Sequence, residues 1–512
     1  MKPFLWGVAI SAYQAEGGYN RAQEPQTNWA EAEKCGQVAS LGRSADFWRR
    51  YEEDFDRCRA LGLNAFRLGL EWSRIQPSRD DQSAKPPPFD AAALDHYVAI
   101  LTACLARGLE PIVTLHHFVH PAWLGADAWL DENTPQRFAD YVRTAVCHVN
   151  ERLPRPIQWF ITINEPNMLV LNSYLGRQFP AQARGGVATM MRAYNHLLRA
   201  HVLAYNSLHD LYTERGWPTP KVSFNNYCSD VYWSDKVLLD LVCARERGVD
   251  RSKIAAYIIE RARSFDQAFR AARLPLHRDL AFYVGSIAKR LANWFGYKLF
   301  SAAPFAPFLD ELYASPRVRL LDYIGLDYYD PFAAHAFRLP VWWDHEFKNR
   351  SFRSWMLATV TSKWWDWRVL PLGLHFFCRH YAEDFNRPVL IAENGMALRR
   401  REDGRRPRRD RMTRSQYLQL HVREVARIAR EGIPLVGYLH WSLFDNYEWG
   451  TFTPRFGLYA IDFTRGTERD AIDPYGDRPA ETYASLIKEV QGTMSAQTGN
   501  LEKGTGEHER DF

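Results

Sequence analysis

The stretch SADFWRRYEEDFDRCRALGLNAFRLGLEW (44–72) contains one complete helix-to-strand unit. Its first half carries apolar side chains at intervals of three or four residues, namely Phe47, Tyr51, Phe55 and Cys58. This spacing predicts an amphipathic helix, which Gly62 ends. The following LNAFRLGLEW is typical of a buried strand. Repeated units of this kind indicate a parallel sheet.

The same plan recurs along the chain. FDAAALDHYVAILTACLARG (89–108) predicts a second helix, with a stripe of Leu94, Val98, Leu101 and Leu105. Strand-like runs occupy 4–18, 63–72, 109–118, 157–166, 221–227, 321–329, 387–395 and 433–442. Eight strands joined by helical crossovers predict an α/β fold, the closed (β/α)8 or TIM barrel. The alternative is a doubly wound open sheet, but no glycine-rich phosphate turn follows a predicted strand.

A single barrel domain is predicted over residues 1–494, with long insertions in its βα-loops, followed by a polar, disordered tail over 495–512. One insertion separates the fifth and sixth strands, and a second occupies 330–386. The second contains Trp342, Trp343, Trp364, Trp365 and Trp367. These tryptophans either line an apolar leaving-group pocket or only pack the loop.

The composition narrows the class of protein. The net charge of +5 is small for 512 residues, so neither nucleic acid nor an anionic membrane is implied by the overall field, and no apolar run is long enough to predict a membrane span. Seven scattered cysteines predict reduced thiols and a cytoplasmic location. The apolar opening also resembles a secretory signal, but its single basic residue and two aromatics favour a first strand.

Polar residues stand where the predicted strands end. They are Gln14, Arg67, His117, Asn164, Glu165, one of Asn225 and Asn226, Tyr329, Glu393 and Trp441. In a barrel these ends surround the functional cavity, so the ring predicts an active site. A buried Gln14 in particular must have a hydrogen-bond partner.

Glu165 and Glu393 follow strands on opposite sides of the predicted barrel. Two facing carboxyls, one protonated and one ionised, suit glycosidic bond cleavage. Arg67 near Glu393 would keep that carboxylate charged, and its charge would raise the pKa of Glu165. Spacing alone leaves the reverse assignment open.

The ordered motifs FLWGVAISAYQAEGG, AFRLGLEWSRI, TLHHF, TINEPN, IGLDYY, LIAENG and HWSLFDNYEWGTFTPRFGLY resemble those of glycoside hydrolase family 1, the β-glucosidase and β-galactosidase family. The resemblance runs from residue 4 to about 490. It implies a retaining double displacement without cofactor or catalytic metal, with Glu165 as acid/base and Glu393 as nucleophile. It also implies substrate-binding or supporting roles for Gln14, His117, Asn164, Tyr329, Trp441, Glu448 and Trp449.

These features predict a β-glucosidase, with β-galactosidase or β-fucosidase activity as well, that hydrolyses terminal non-reducing β-D-glycosides. The expected partner is a small-molecule glycoside, and the oligomeric state cannot be read from the sequence. A transglycosylase or a non-catalytic carbohydrate-binding barrel are the alternatives. His116, His117 and His120 lack metal-site spacing, so no metal is expected.

Three positions depart from the family pattern. Phe118 and Asp327 stand where the family usually has Trp and Asn, and VHP (119–121) replaces the common DLP. Branches that act on 6-phosphorylated sugars generally lack a glutamate at the position of Glu448, so its presence predicts neutral glycosides.

Overall fold

The computed structural model describes residues 3–78, 86–176, 178–276, 278, 280–301, 305–329, 368–401, 404–405, 408 and 410–505. Eight parallel strands close into a barrel in chain order, so the predicted TIM barrel is confirmed. Numbered along the chain, these barrel strands are β1 Leu5–Ala9, β2 Ala65–Gly69, β3 Glu110–Thr114, β4 Trp159–Asn164, β5 Lys221–Tyr227, β6 Ile324–Tyr328, β7 Val389–Asn394 and β8 Leu435–Trp441.

The register of the barrel places the ends of its strands at one level. Ala9, the last residue of β1, pairs with Arg67 on one side and with Trp441 on the other. Asp327 of β6 pairs with Glu393 of β7. The functional residues therefore converge because parallel strands in register end together.

Helices cover the outside of the barrel. The two that the sequence predicts most clearly are Phe47–Ala60 and Ala91–Ala106, and Asp90 caps the second by accepting from the backbone N–H of Ala93 at 3.0 Å. The remaining described helices are Ala12–Glu16, Ala30–Lys34, Trp72–Ile75, Ala122–Leu124, Ala128–Leu130, Thr134–Asn150, Pro166–Val170, Leu171–Leu175, Val187–Glu214, Lys236–Val242, Arg251–Lys253, Ile254–Ala271, Leu280–Ser301, Ala306–Ala314, Pro371–Phe385, Arg414–Arg430 and Pro479–Thr505. A small antiparallel sheet of Leu398–Arg401, Gly404–Arg405 and Pro454–Arg455 lies beyond β7 and β8.

The long connection between β5 and β6, where the sequence predicts an insertion, is largely helical over its described residues. The five tryptophans Trp342, Trp343, Trp364, Trp365 and Trp367 lie outside the described residues. The last helix continues to Thr505, past the predicted domain end at residue 494 and into the segment predicted to be disordered. That boundary stays a prediction.

All seven cysteines are free thiols, and five of them are buried. The predicted reduced state stays a prediction. Among the described helices, none combines the length and hydropathy that a bilayer span requires.

Candidate active site

A cavity at the carboxyl ends of the strands is lined by most of the predicted site residues, and its empty space, which opens to solvent, amounts to about 520 Å³. Eight of the predicted residues line it: His117, Asn164, Glu165, Tyr329, Glu393, Trp441, Glu448 and Trp449. Arg67 and Gln14 are buried just behind this lining and hydrogen-bond to it.

The two predicted catalytic glutamates share this cavity. Glu165 directly follows β4, and Glu393 lies near the end of β7. One carboxyl oxygen of each, together with one of Asp327, lies within 4.8 Å of the other two. The predicted juxtaposition of Glu165 and Glu393 is therefore present.

Glu393 is held from both sides. Arg67 donates through Nη1 to its Oε1 at 2.6 Å, and the Tyr329 hydroxyl donates to its Oε2 at 2.6 Å. Both carboxylate oxygens are thus occupied by donors, which fixes the rotamer and stabilises the ionised form.

Arg67 connects the strand ends. Besides Glu393, its guanidinium donates to Oδ1 of Asn164 at 2.6 Å and to Oγ1 of Thr114 at 2.9 Å. Asn164 in turn lies 3.2 Å from Nε2 of His117 through its Nδ2. One buried cation on β2 therefore positions residues from three other strands, β3, β4 and β7.

The strand end of β5 contributes Asn225 rather than Asn226, which settles the alternative left open by the sequence. Nδ2 of Asn225 donates to Asn164 at 2.8 Å and also to Oδ2 of Asp327. Nδ2 of Asn226 instead donates to the backbone carbonyl of Asp235 at 3.1 Å, away from the cavity.

The three clustered carboxyls differ in how easily they ionise. Burial and then the charge of Glu393 raise the pKa of Glu165 well above its ordinary value. Burial, with the charges of Glu393 and Glu165, does the same to the pKa of Asp327. Burial also raises the pKa of Glu393, but Arg67 and Tyr329 oppose it. Glu393 is consequently the first of the three to lose its proton.

Aromatic rings form one wall of the cavity. The ring of His117 stacks between Trp441 and Trp449, at centroid distances of 5.7 and 5.6 Å. Phe118 packs edge-on against Trp449 at 4.8 Å and also contacts Phe179. Phe118, where the family pattern has Trp, thus keeps this wall aromatic but offers no N–H.

Gln14 has its partners within the protein. Its Nε2 donates to the carbonyl of Tyr447 at 2.8 Å and to Oε2 of Glu448 at 3.1 Å, and its Oε1 accepts from Ser11 at 2.7 Å. Nε1 of Trp441 donates to the other oxygen of Glu448 at 3.3 Å. Gln14 lies in the short helix after β1, not in the strand itself, and it holds Glu448 in place.

Three residues of the lining have left-handed backbone conformations. The φ angles are 38° at Glu165, 67° at Phe118 and 44° at Trp449. Such conformations are unfavourable for residues with side chains and persist where the surroundings enforce them. Their concentration here is typical of a functional site.

Several lining residues were missed by the sequence reasoning: Met168, Asn172, Phe179, Tyr227 and Phe456. Tyr227 ends a predicted strand and Phe456 lies within a quoted motif, so position alone could have found both. Met168 and Asn172 lie in the short helices after β4 and Phe179 follows them, and the sequence of this segment has no distinctive pattern.

Among the described residues, Glu165, Asp327 and Glu393 are the group of ligand atoms close enough to hold a metal ion. Arg67 already supplies positive charge to Glu393 at 2.6 Å. The sequence expects no metal, and that expectation stays a prediction.

The chain is similar to known glycoside hydrolases along most of its length. The family model described as Glycosyl hydrolase family 1 matches residues 1–256 and 302–489. Among curated proteins, the chain is 26% identical over 480 residues to 6-phospho-beta-galactosidase 1 of Streptococcus pneumoniae, covering 90% of this chain and 94% of that one. It is also 26% identical over 476 residues to Beta-glucosidase A of Thermotoga maritima, covering 90% and 93%.

Solved structures show the same fold. A beta-glucosidase from Thermotoga maritima in complex with galacto-hydroximolactam superimposes with a TM-score of 0.65 at 22% identity, covering 96% of this chain and 98% of that one. A beta-glycosidase from Pyrococcus horikoshii gives a TM-score of 0.62 at 22% identity, covering 95% and 94%.

Proposed function

Because the chain belongs to glycosyl hydrolase family 1 and is therefore a glycoside hydrolase, we propose that it is a retaining β-glycosidase that cleaves terminal non-reducing β-D-glycosides. The observation that carries the proposal is the approach of Glu165 and Glu393 within 4.8 Å across one cavity. Retaining enzymes separate their carboxyls by about 5–5.5 Å, whereas inverting enzymes leave roughly 6.5–9.5 Å for a water molecule.

Glu393 is the proposed nucleophile. Its carboxylate attacks the anomeric carbon, and the bond from that carbon to the leaving oxygen breaks as the glycosyl-enzyme ester forms. The hydrogen bonds from Arg67 and Tyr329 support this role, since they keep Glu393 ionised and oriented.

Glu165 is the proposed acid/base. It gives its proton to the leaving oxygen, which its raised pKa permits at neutral pH. Once Glu393 is esterified its negative charge is gone, so the pKa of Glu165 falls. Glu165 can then accept a proton from the water that hydrolyses the ester. No cofactor or metal enters the proposed chemistry.

The lining suits one sugar ring. Trp441 offers an apolar plate, and His117, Asn164, Glu448 and Trp449 offer polar groups around it. Gln14 acts from behind by fixing Glu448. Direct binding of a sugar hydroxyl by Gln14, which the resemblance implies, would require the substrate to replace one of its present partners.

We infer a neutral sugar rather than a 6-phosphorylated one, with glucose preferred and galactose or fucose accepted. The curated relatives include a 6-phospho-beta-galactosidase and a beta-glucosidase, so membership of the family does not decide whether the sugar is phosphorylated. The described residues that line the cavity include no Lys or Arg to pair with a phosphate. Glu448 would repel one whenever it is ionised.

Two alternatives to hydrolysis are transglycosylation, which differs only after the glycosyl-enzyme intermediate has formed, and carbohydrate binding without catalysis, in which no intermediate forms. Transglycosylation uses the same intermediate, and its share is measured by products formed with an added alcohol. A non-catalytic barrel is disfavoured, since Arg67 and Tyr329 prepare Glu393 for attack.

The free thiols support the predicted cytoplasmic location.

The test measures hydrolysis of nitrophenyl β-glucoside, β-galactoside, β-fucoside and 6-phospho-β-glucoside by the intact chain. Glu393→Gln is expected to lower the rate by at least about a thousandfold. Glu53→Gln, on the surface of Phe47–Ala60, is the matched control and should behave as wild type. Proton NMR should detect the β-anomer as the first sugar product. An α-anomer, or equal rates with Glu393→Gln, would refute the mechanism.

A further inference from the structure

The helix Leu280–Ser301 exposes an unusual apolar surface. Tyr283, Ile287, Leu291, Trp294 and Phe295 have exposed fractions from 50% to 59%, and they are five of the eight large hydrophobic residues that are exposed in the described chain. The first four follow one another at intervals of three or four residues and Phe295 is next to Trp294, so all five lie along one side of the helix. We call these five residues the outer stripe.

The opposite side of this helix is packed against the protein. Lys289 forms ion pairs with Asp230 at 3.0 Å and with Asp266 at 3.7 Å. Asn293 donates to Asp266 at 3.1 Å, and a side chain at Gly296 would collide with Trp233. The helix is therefore anchored by its inner side, and the outer stripe faces away from the anchor.

The family model skips residues 257–301, which we call the insertion. The insertion contains eight Lys and Arg but three Asp and Glu, a net charge of +5. The whole chain also has a net charge of +5, so the rest of the molecule is balanced. Leu280–Ser301 itself carries Lys289, Arg290 and Lys298 and no acidic residue. Arg261 and Lys289 pair with aspartates outside the insertion, so the positive charge that the insertion presents is smaller than its net charge.

We propose that the insertion binds the surface of a lipid bilayer that contains anionic phospholipids, with the outer stripe lying in the headgroup region. Helices that bind in this way combine Trp, Phe and Leu on one side with Lys and Arg nearby. Anionic headgroups attract such basic segments. The helix lies on the surface and does not cross it, in keeping with its hydropathy.

Charge and side-chain type favour a bilayer over other partners. Pairing two copies of this surface would bring the exposed Arg290 and Lys298 of each copy together, and the repulsion between these cations would oppose a dimer. Nucleic acid would use the cations but would leave the aliphatic Ile287 and Leu291 exposed.

The insertion follows β5, so it emerges at the same end of the barrel as the cavity. Tyr227, the last residue of β5, lines the cavity, and Asp230 three residues later anchors Lys289. A bound bilayer would therefore lie at the cavity end of the molecule.

The test is co-sedimentation of the full chain with vesicles of phosphatidylcholine alone or with phosphatidylserine added. Binding should require phosphatidylserine and weaken as salt rises. Arg290→Glu should weaken it at least about fivefold, and the double variant Trp294→Ser, Phe295→Ser about tenfold or more. Arg465→Glu and Ile472→Ser, which change an exposed charge and an exposed apolar residue elsewhere, are the controls.

Equal thermal midpoints of all variants would show that each is folded. No binding to either vesicle, or equal binding by all variants, would overturn the proposal. It would also be overturned if the full chain formed a dimer that Trp294→Ser abolishes, or bound an oligonucleotide in preference to vesicles. None of these readouts depends on glycosidase activity.

Discussion

A carboxyl oxygen of Asp327 lies within 4.8 Å of one of Glu165, in a cavity where both side chains are buried. Oε1 of Glu165 and Oδ1 of Asp327 have no hydrogen-bond partner among the described residues. The pKa of each carboxyl is raised by burial and then by neighbouring charge. A proton on either carboxyl would reduce the repulsion between them.

We therefore expect Asp327→Asn to move the alkaline limb of the activity profile to lower pH. That limb reports loss of the proton from Glu165, which the charge on Asp327 opposes. Asn at 327 removes the charge and can donate to ionised Glu165 while accepting from Asn225. The pH dependence of kcat/KM for a nitrophenyl glucoside should shift by about one unit or more.

A dinitrophenyl glucoside provides the control, because its leaving group departs without protonation. With that substrate the alkaline limb should be weak in both proteins and should not move. Superimposable profiles of wild type and Asp327→Asn on the nitrophenyl glucoside would show that Asp327 does not act through Glu165.

The hydrogen bond from Tyr329 to Glu393 leads to a change at the acidic limb. Tyr329→Phe removes a donor to the carboxylate, so the pKa of Glu393 rises and activity is lost at a higher pH than in wild type. Hydrogen bonds to charged groups contribute about 1.5–3 kcal/mol, which corresponds to a shift of roughly one to two pH units.

Tyr323→Phe is the matched control for this prediction. The Tyr323 hydroxyl donates to the backbone carbonyl of Phe160 at 2.9 Å and lies outside the cavity lining. Its loss should lower the thermal midpoint without moving the acidic limb. If Tyr329→Phe keeps the wild-type limb, Tyr329 does not control the ionisation of Glu393.

The barrel was predictable because its signals are local. Each strand is a short apolar run, and the helices Phe47–Ala60 and Ala91–Ala106 are marked by apolar spacing and a terminal glycine. The detail of burial was less accurate: in Ala91–Ala106 the buried positions include Tyr97 and Cys104, whereas the predicted Val98 and Leu105 are half-buried. Which of two adjacent positions on a helix is buried depends on the angle at which the helix packs against the barrel, and the local sequence does not encode that angle.

The long-range contacts of the site could not be predicted from local pattern. Gln14 donates to residues more than 430 positions away, and it does so because β1 and β8 are neighbours in the closed barrel. The basic insertion was hidden for a different reason. Its charge is diluted in the total for the chain, and only the structure shows which side of its helix is exposed.

The position of Glu448 leads to a prediction about sugar recognition. Gln14 and Trp441 each donate to one of its oxygens, so the carboxyl is aimed before substrate arrives. Gln14→Leu should lower kcat/KM for the nitrophenyl glucoside roughly tenfold or more, because the buried carboxyl loses a donor.

Glu448→Ser should narrow the preference for glucoside over 6-phosphoglucoside. An unchanged ratio in Glu448→Ser would indicate that the discrimination lies elsewhere.

A buried ion cluster away from the cavity gives the last prediction, on stability. Lys236 is fully buried and contacts Asp240 at 2.9 Å and Asp384 at 2.6 Å, joining Lys236–Val242 to Pro371–Phe385. Burial alone would raise the pKa of Asp384, but Lys236 and the neighbouring arginines hold it well below its ordinary value.

A carboxyl with a depressed pKa stabilises the fold above its unfolded pKa of about 3.9, and this contribution disappears as the pH falls toward the folded value. Asp384→Asn should therefore lower the free energy of unfolding at pH 7 by about 2–4 kcal/mol. The difference from wild type should shrink steadily below about pH 5. Urea unfolding followed by circular dichroism at several pH values measures it, with the exposed Asp310→Asn as control. A difference that is constant from neutral to acidic pH would mean that the cluster stabilises the fold through packing rather than through the charge of Asp384.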